Sequence, residues 1–524
     1  AVNSQEIAHV VFTAKAVVSD EIMARSRLHV PGEDGTETSL WDSLQSVRST
    51  LSQLYIQGAG EEDVQAYHHR LDEVTQAKER LEAELARISA SFAREQALWD
   101  MHAADVASGL PSGSALVEFM RYNHNEVHEY NSQDRYLAVL LKGDGTLSVF
   151  PLGLASAIDT AVYWYRQQFR NPKSLDQTAI STAAENLYSL VWRPFAALVT
   201  GVTTVFIAPD GELNLVSFAG LTDDNGQYLI EKFPIHYLST GRDLIRLQEE
   251  SASGNGLLAM GDPDFDLSYG MSTASAVGLA LLTTLNLRSS CNALNKLNVP
   301  PLPGTRKEVE SVAGQWTRGG ASVVTYIGAD ATEEHFKQSA PGKRVIHLAT
   351  HGFYISDECQ KKLDTRGASG TGASGYVGEN PLLLSGFLLA GANHHGEGAN
   401  EAQREDGIVT AEEVAGLNLN GTDLVILSAC ETGLGEVKSG EGVYGLRRAF
   451  QMAGARTVIS ALWPIDDKMT AEFMGQLFSA QNETLPQTMQ RIALARLADL
   501  HRQGKSDHPF YWAAFVATGD WKMH

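Results

Sequence analysis

Apolar positions along the chain follow three patterns, and each predicts a different kind of element. Over residues 1–110 they recur at helical spacing. Leu40, Leu44, Val47, Leu51 and Leu54 step by fours and threes. After Gly58-Ala-Gly60 a second series runs Val64, Tyr67, Leu71, Val74, Lys78, Leu81, Leu85, Ile88 and Phe92, interrupted only at Lys78. Two heptad seams joined by a glycine turn predict an antiparallel helical hairpin. Such a hairpin serves either as packing and spacer or as an arm on which a partner docks.

From Ser114 short β segments take over. Ala115–Met120, Tyr136–Leu141 and Thr146–Phe150 read as strands, the last two flanking the turn sequence Lys142-Gly-Asp-Gly145. Helices are expected at about 153–169 and 180–198, then strands at Thr203–Ala208 and Ile235–Ser239. This is a first α/β unit over 114–250. The third pattern, continuous apolar runs bounded by turn residues, begins near Gly256. Leu257–Met260, Ser322–Ile327, Val345–Leu348, Leu424–Ser428, Thr457–Ala461 and Phe515–Ala517 read as buried strands. Helices fit between them at about 305–316, 332–338, 410–415, 441–453, 468–479 and 486–502. The alternation predicts a second α/β unit over 251–524, with a mostly parallel sheet and helices on both faces. Three loops interrupt it: 263–300, the Gly/Ser stretch Arg366–Gly375, and Gly391–Asn400.

Composition narrows the classes. At 524 residues the chain exceeds one core, and 43% hydrophobic with 20% charged residues describes an ordered globular protein. A formal charge of −22 argues against direct nucleic-acid binding. Three cysteines (Cys291, Cys359, Cys430) give no disulfide framework, so a reducing, cytoplasmic setting is expected. No signal-peptide pattern opens the chain. The longest apolar stretch, Val191–Ala208, contains Arg193 and Pro194 and reads as helix end plus strand, so no membrane association is expected. The chain begins at Ala1 rather than Met and is taken as a fragment with sequence upstream.

Two strand ends carry the chemistry. Arg344-Val-Ile-His-Leu-Ala-Thr-His351-Gly352 and Leu424-Val-Ile-Leu-Ser-Ala-Cys430-Glu-Thr-Gly433 each bring a reactive side chain to the carboxyl edge of a buried strand. That edge is where open α/β sheets hold ligands. A His and a Cys so placed are a thiol nucleophile and its proton-transfer partner. The glycine-rich turn after Cys430 (Gly433, Gly435, Gly440, Gly442) lets backbone N–H groups converge on a reacting oxygen. The bland alternative, a small buried Cys, is weighed against that context.

Other chemistries fail on the same residues. His347 and His351 are four apart, but Leu348 stands where a zincin needs Glu, and the run is a strand; no metal is expected. Glu441 replaces the Lys a phosphate-binding loop requires, and no cation follows Cys430 for phosphatase chemistry. His347, inside the strand, is read as structural. No cofactor is implied.

Several motifs together resemble the CHAT domain, a caspase-like peptidase family also similar to separase. They are Leu302-Pro-Gly-Thr-Arg-Lys-Glu-Val-Glu310, His347-Leu-Ala-Thr-His351-Gly352, Leu427-Ser-Ala-Cys430-Glu-Thr-Gly433, Gly440-Glu-Gly442, Ala461-Leu-Trp-Pro-Ile-Asp466-Asp467 and His508-Pro-Phe-Tyr-Trp-Ala-Ala-Phe515. The resemblance covers most of 114–524. It implies a caspase-like mostly parallel sheet and a cysteine endopeptidase acting on a protein substrate. Its Cys–His dyad would have Cys430 as nucleophile and His351 as proton-transfer residue, with the backbone N–H groups of Gly352 and Cys430 as oxyanion hole. The 114–250 unit then corresponds to a companion pseudo-protease unit without a dyad of its own. Residues 1–110 resemble the end of a helical-repeat region, as in members with tetratricopeptide repeats upstream. Asp466 and Asp467 either line a pocket for a basic P1 side chain or cap the helix that follows. Family analogy further implies gating through the helical region by a regulatory protein or ribonucleoprotein, in prokaryotic defence. The competing reading is a latent protease-fold scaffold or adaptor that acts by binding proteins.

Overall fold

The computed structural model describes residues 3–15, 36–57, 64–88, 101–124, 133–248, 253–267, 298–318, 320–354, 381–395, 405–428, 436–438, 442–465, 467–479 and 482–522. Cys430 and the turn Glu431–Gly435, Asp466, the Arg366–Gly375 stretch and most of the 263–300 insertion lie outside them, as do Cys291, Cys359 and Phe92.

Four helices open the described chain: α1 (Ser4–Ala14), α2 (Thr36–Gln57), α3 (Val64–Ile88) and a short one over Ala103–Gly109. An antiparallel meander follows, β1 (Ala115–His124), β2 (Gln133–Lys142) and β3 (Leu147–Leu154). Then come α4 (Ala155–Gln167), α5 (Gln177–Val191), β4 (Val205–Ala208) and β5 (Ile235–Tyr237). The helix expected at 180–198 ends at Val191 and continues as a 3₁₀ turn over Arg193–Val199. Pro194 accounts for this, since it cannot donate within an α-helix.

The second half contributes β6 (Leu257–Pro263), α6 (Pro303–Arg318), β7 (Val323–Gly328), α7 (Glu333–Ser339), β8 (Val345–Ala349) and β9 (Gly352–Tyr354). It continues with β10 (Ser385–Leu388), β11 (Ile408–Thr410), α8 (Ala411–Ala415), β12 (Leu424–Leu427), β13 (Glu436–Lys438), β14 (Gly442–Tyr444) and α9 (Leu446–Met452). It closes with β15 (Thr457–Ala461), α10 (Asp467–Phe478), α11 (Leu485–Arg502) and β16 (Phe515–Gly519). The helix expected from 441 starts only at Leu446. Glycines at 440, 442 and 445 disfavour a helix there, and β13 and β14 pair as a hairpin instead.

Both α/β units feed one eleven-stranded sheet in the order β3-β2-β1-β4-β5-β16-β15-β12-β8-β6-β7. The chain-terminal strand β16 joins them: it runs antiparallel to β15 and parallel to β5, with Thr518 opposite Tyr237. The sheet is mostly parallel with helices on both faces, so its strands are buried twice over and read as unbroken apolar runs. Alternation still decides which core each residue joins. In β8, Ile346 and Leu348 enter the core that contains α8 and α9. Val345 and Ala349 enter the opposite one, with α6, α10 and α11. His347 shares their parity, so it points at α6.

Helices α2 and α3 lie against each other, and side chains of both pack on the second half. Leu51 and Leu71 bury against Leu383, with Leu54, Tyr67 and Val74 around them. Lys78, the interruption in the seam, has a partner far away in sequence: its Nζ lies 2.8 Å from Glu412 Oε1 in α8. Arg48, which the seam reading passed over, is 1% exposed and bonds Glu82 at 2.9 Å while its Nε lies 3.6 Å from Glu412.

Candidate active site

The site grows from the register of β8 against β12. The two strands are parallel neighbours with Leu348 opposite Leu427, and the Ser428 N–H donates to the Leu348 carbonyl at 2.8 Å. Thr350 and His351 leave one strand where Ser428 leaves the other. Cys430 follows Ser428 by two positions, beyond the described residues.

His351 is held from three sides. Its Nε2 lies 2.9 Å from the Pro300 carbonyl oxygen. Its ring packs against Phe265 with centroids 5.3 Å apart. Its backbone carbonyl accepts from the Leu388 N–H of β10 at 2.9 Å. Neighbouring Thr350 is buried, and its hydroxyl donates to the Leu388 carbonyl at 2.5 Å. Because a carbonyl oxygen can only accept, Nε2 carries the proton, and in the neutral ring Nδ1 keeps the lone pair. Burial pulls the imidazole below its ordinary pKa, against the Pro300 carbonyl, which favours the charged form. The ring is therefore a neutral base at pH 7.

Gly352 opens β9, the edge of a small antiparallel sheet ordered β11-β10-β9. It stands opposite Phe387. Since Leu388 donates to the carbonyl of His351, Gly352 occupies a non-hydrogen-bonded position, and its N–H points away from β10, to the side of β9 where no strand pairs among the described residues. The small sheet was not anticipated. Its strands are three or four residues long and carry Gly and hydroxyl side chains, below the length at which alternation is legible. Gly386 shows why it tolerates no larger residue, since a Cβ there would come within 2.3 Å of the Val409 carbonyl.

Beside His351 a cleft of about 420 Å³ is lined by Leu302, Thr305, Glu308, Thr350, Ser428, Ala461, Trp463, Ile465, Thr470 and Phe515. Hydroxyl and apolar groups dominate it. Its carboxylate, Glu308, turns to His347, whose Nε2 lies 2.9 Å from Glu308 Oε1 with both side chains enclosed. That is a contact of proximity rather than a well-directed hydrogen bond. His347 is thus enclosed beneath the sheet's helical layer, beside Glu308, and does not line the cleft. Asp467 is the first residue of α10, and Asp466 precedes it outside the described residues. Of the predicted site residues, His351 lines the cleft and Gly352 follows it in the chain as the first residue of β9. The supports Pro300, Phe265 and Leu388 were missed, because nothing local marks residues that act across the fold.

Glu333, Glu405 and Glu413 gather their carboxylate oxygens within 4.8 Å of one another. The ammonium of Lys337 occupies the centre, at 2.8 Å, 3.0 Å and 2.9 Å from them respectively. An amine satisfies this donor set.

Among the described residues no helix is long and apolar enough to cross a membrane. The CHAT domain profile matches residues 181–520. Human tetratricopeptide repeat protein 28 is 24% identical over 315 residues, covering 59% of this chain and 12% of that protein. Its mouse counterpart is 24% identical over 195 residues, covering 37% of this chain and 8% of its own. The chain thus spans about a tenth of the length of these curated relatives. Among solved structures, Saccharomyces cerevisiae separase in its complex with securin is 9% identical, with a TM-score of 0.41 over 86% of this chain and 33% of that one. The complex of Porphyromonas gingivalis RgpB pro- and mature domains is 9% identical, with a TM-score of 0.35 over 70% of this chain and 76% of that one. The profile match extends from α5 through β16, across the strands that frame His351, and the chain belongs to the CHAT domain family.

Proposed function

We propose that the chain is a cysteine endopeptidase that hydrolyses a protein substrate, with Cys430 as nucleophile and His351 as proton-transfer partner. One observation carries the reading: the register that sets His351 beside the exit of the strand leading to Cys430. Nδ1 of the neutral His351 takes the thiol proton. The thiolate attacks the substrate carbonyl carbon, and the oxyanion is held by the N–H groups of Gly352 and Cys430. The imidazolium gives its proton to the leaving amine, and water then hydrolyses the thioester. Pro300 keeps the ring in the tautomer this sequence requires. Asp466 and Asp467, at the sequence start of α10, are proposed either to favour a basic P1 side chain or to cap the helix.

The helical region is the proposed point of control, open to a regulatory protein or ribonucleoprotein. Its support is a run of contacts. Arg48 and Lys78 meet Glu412 of α8. β11, which leads directly into α8, pairs with β10. Leu388 of β10 bonds the His351 backbone. A displacement of the hairpin therefore reaches the histidine through three packed elements. A cytoplasmic setting is proposed because three cysteines in 524 residues make no disulfide framework, and a role in prokaryotic defence rests on family analogy alone.

The test is turnover of a fluorogenic peptide library by wild type and Cys430→Ala. Cleavage is expected to vanish in the variant with circular dichroism unchanged; retained proteolysis refutes the assignment.

A further inference from the structure

Next to the cleft lies a second recess, of about 440 Å³, between α10, α11 and residues 510–515. Ile465 and Phe515 line both spaces and form the partition. The recess has a built wall. Phe473 stacks on Phe515 with centroids 4.3 Å apart and planes 20° from parallel. The Trp512 indole N–H donates to the Asp507 carbonyl at 2.9 Å, which turns the ring's polar end to the backbone. Met469 and Ile492 add apolar surface. At the rim, Arg496 and Glu472 lie 3.5 Å apart and offer polar groups to a passing backbone. The recess is partly open to solvent, and its lining is mostly apolar with a few polar groups at the edge, the character of a side-chain pocket.

We infer that this recess is a second substrate subsite. It takes a large apolar side chain, aromatic or branched aliphatic, two residues from the side chain held in the cleft. Alternate residues of an extended strand lie on one face, about 7 Å apart. Two spaces that share Ile465 and Phe515 in their linings are placed to take side chains from one face of such a strand. The inference rests on the peptidase reading for its purpose, but its occupancy is measured independently of catalysis.

The full chain is compared with Met469→Trp and Gln476→Trp, two part-exposed positions of α10 where indole fills the recess. Saturation-transfer NMR reports contact with the reversible probe acetyl-Ala-Phe-Ala-Ala-amide against its all-alanine counterpart. Strong saturation of the phenyl ring in wild type, lost in either folded variant, is expected; equal saturation in all three proteins overturns the inference. In parallel, acyloxymethyl ketones with Phe or Ala at that position are scored for covalent labelling of Cys430 by intact mass. The wild-type rate ratio is expected to be about tenfold or more in favour of Phe, and to fall within about threefold of unity when the recess is filled. A ratio that survives filling also overturns the inference. Phenyl saturation with no labelling of Cys430 by any probe overturns the peptidase reading and leaves the recess a binding site.

Discussion

Replacing Lys337 with Met removes the ammonium that Glu333, Glu405 and Glu413 share, and the consequences depend on pH. Glu333 is 2% exposed and Glu413 6%. Burial drives the Glu333 carboxyl well above its usual range, and only Lys337 works strongly against that. Asp406 beside them is pushed up to about 7, by burial first and by Glu413 second. Burial alone would lower the Lys337 ammonium, but the carboxylates outweigh it and hold it above its ordinary value. Removing one partner of such a buried set costs about 3–5 kcal/mol. A carboxyl with a raised folded pKa stabilises the fold below its unfolded value and loses that contribution as pH rises through the folded one. The wild-type site therefore weakens between about pH 4 and pH 7 on account of Asp406, and the variant, with its carboxyls raised further, weakens more steeply. The assay is native-state hydrogen exchange with mass spectrometry of peptides spanning β11 and α8, at pH 5 and pH 8. Those amides are tied to the cluster, since Gly407 N–H donates to Glu333 and Thr410 N–H to Glu413. Opening should cost about 3 kcal/mol less in the variant at pH 8 and clearly recover at pH 5. A difference under about 1 kcal/mol, or one equal at both pH values, refutes the reasoning.

Two further outcomes follow from buried charges elsewhere. Arg48→Met leaves Glu82 and Glu412 short of a cation and should loosen the docked hairpin by about 3 kcal/mol, read as faster exchange in α2 and α3 with the central sheet unchanged; uniform protection would contradict it. His236 is fully buried and its pKa is lowered to about 4 by desolvation, against the Gly519 carbonyl that its Nε2 meets at 2.8 Å. A depressed folded pKa means stability present above about 6.5 and lost as pH falls toward 4. Thermal melts should show that slope in wild type and a shallower one in His236→Asn.

The sheet was legible because its strands are apolar on both faces and punctuated by Gly, Asp and Pro. Leu424–Leu427 is an unbroken apolar run, and Val345–Ala349 and Thr457–Ala461 are interrupted only by His347 and by Thr457 and Ser460. What escaped was everything built from distant residues. Lys78 read as a flaw in a heptad seam because Glu412, its partner, lies far along the chain. Arg48 sits next to Val47 on the seam, and polarity alone put it outside. The joining of two units into one sheet hangs on β16, a strand of five residues whose partners come from both halves. At the site, His351 and Gly352 were marked by a strand ending at a small residue. Pro300, which fixes the ring's tautomer, belonged to a run read only as a loop before a helix. The aromatic recess left no local mark either, since Phe473, Trp512 and Phe515 look like ordinary core residues until α10 and the 510–515 turn are packed together.

The central claim is that Cys430 is a thiol nucleophile activated by His351. Its most direct test is covalent labelling by an electrophilic peptide, followed by intact-mass and peptide mapping, with and without candidate partners of the helical region. One adduct is expected, on Cys430 and not on Cys291 or Cys359. It should be accelerated by the partner that releases the site and abolished, with the fold retained, in His351→Ala. No adduct on Cys430 under every condition, or labelling indifferent to His351, would contradict it and favour a protein-binding scaffold.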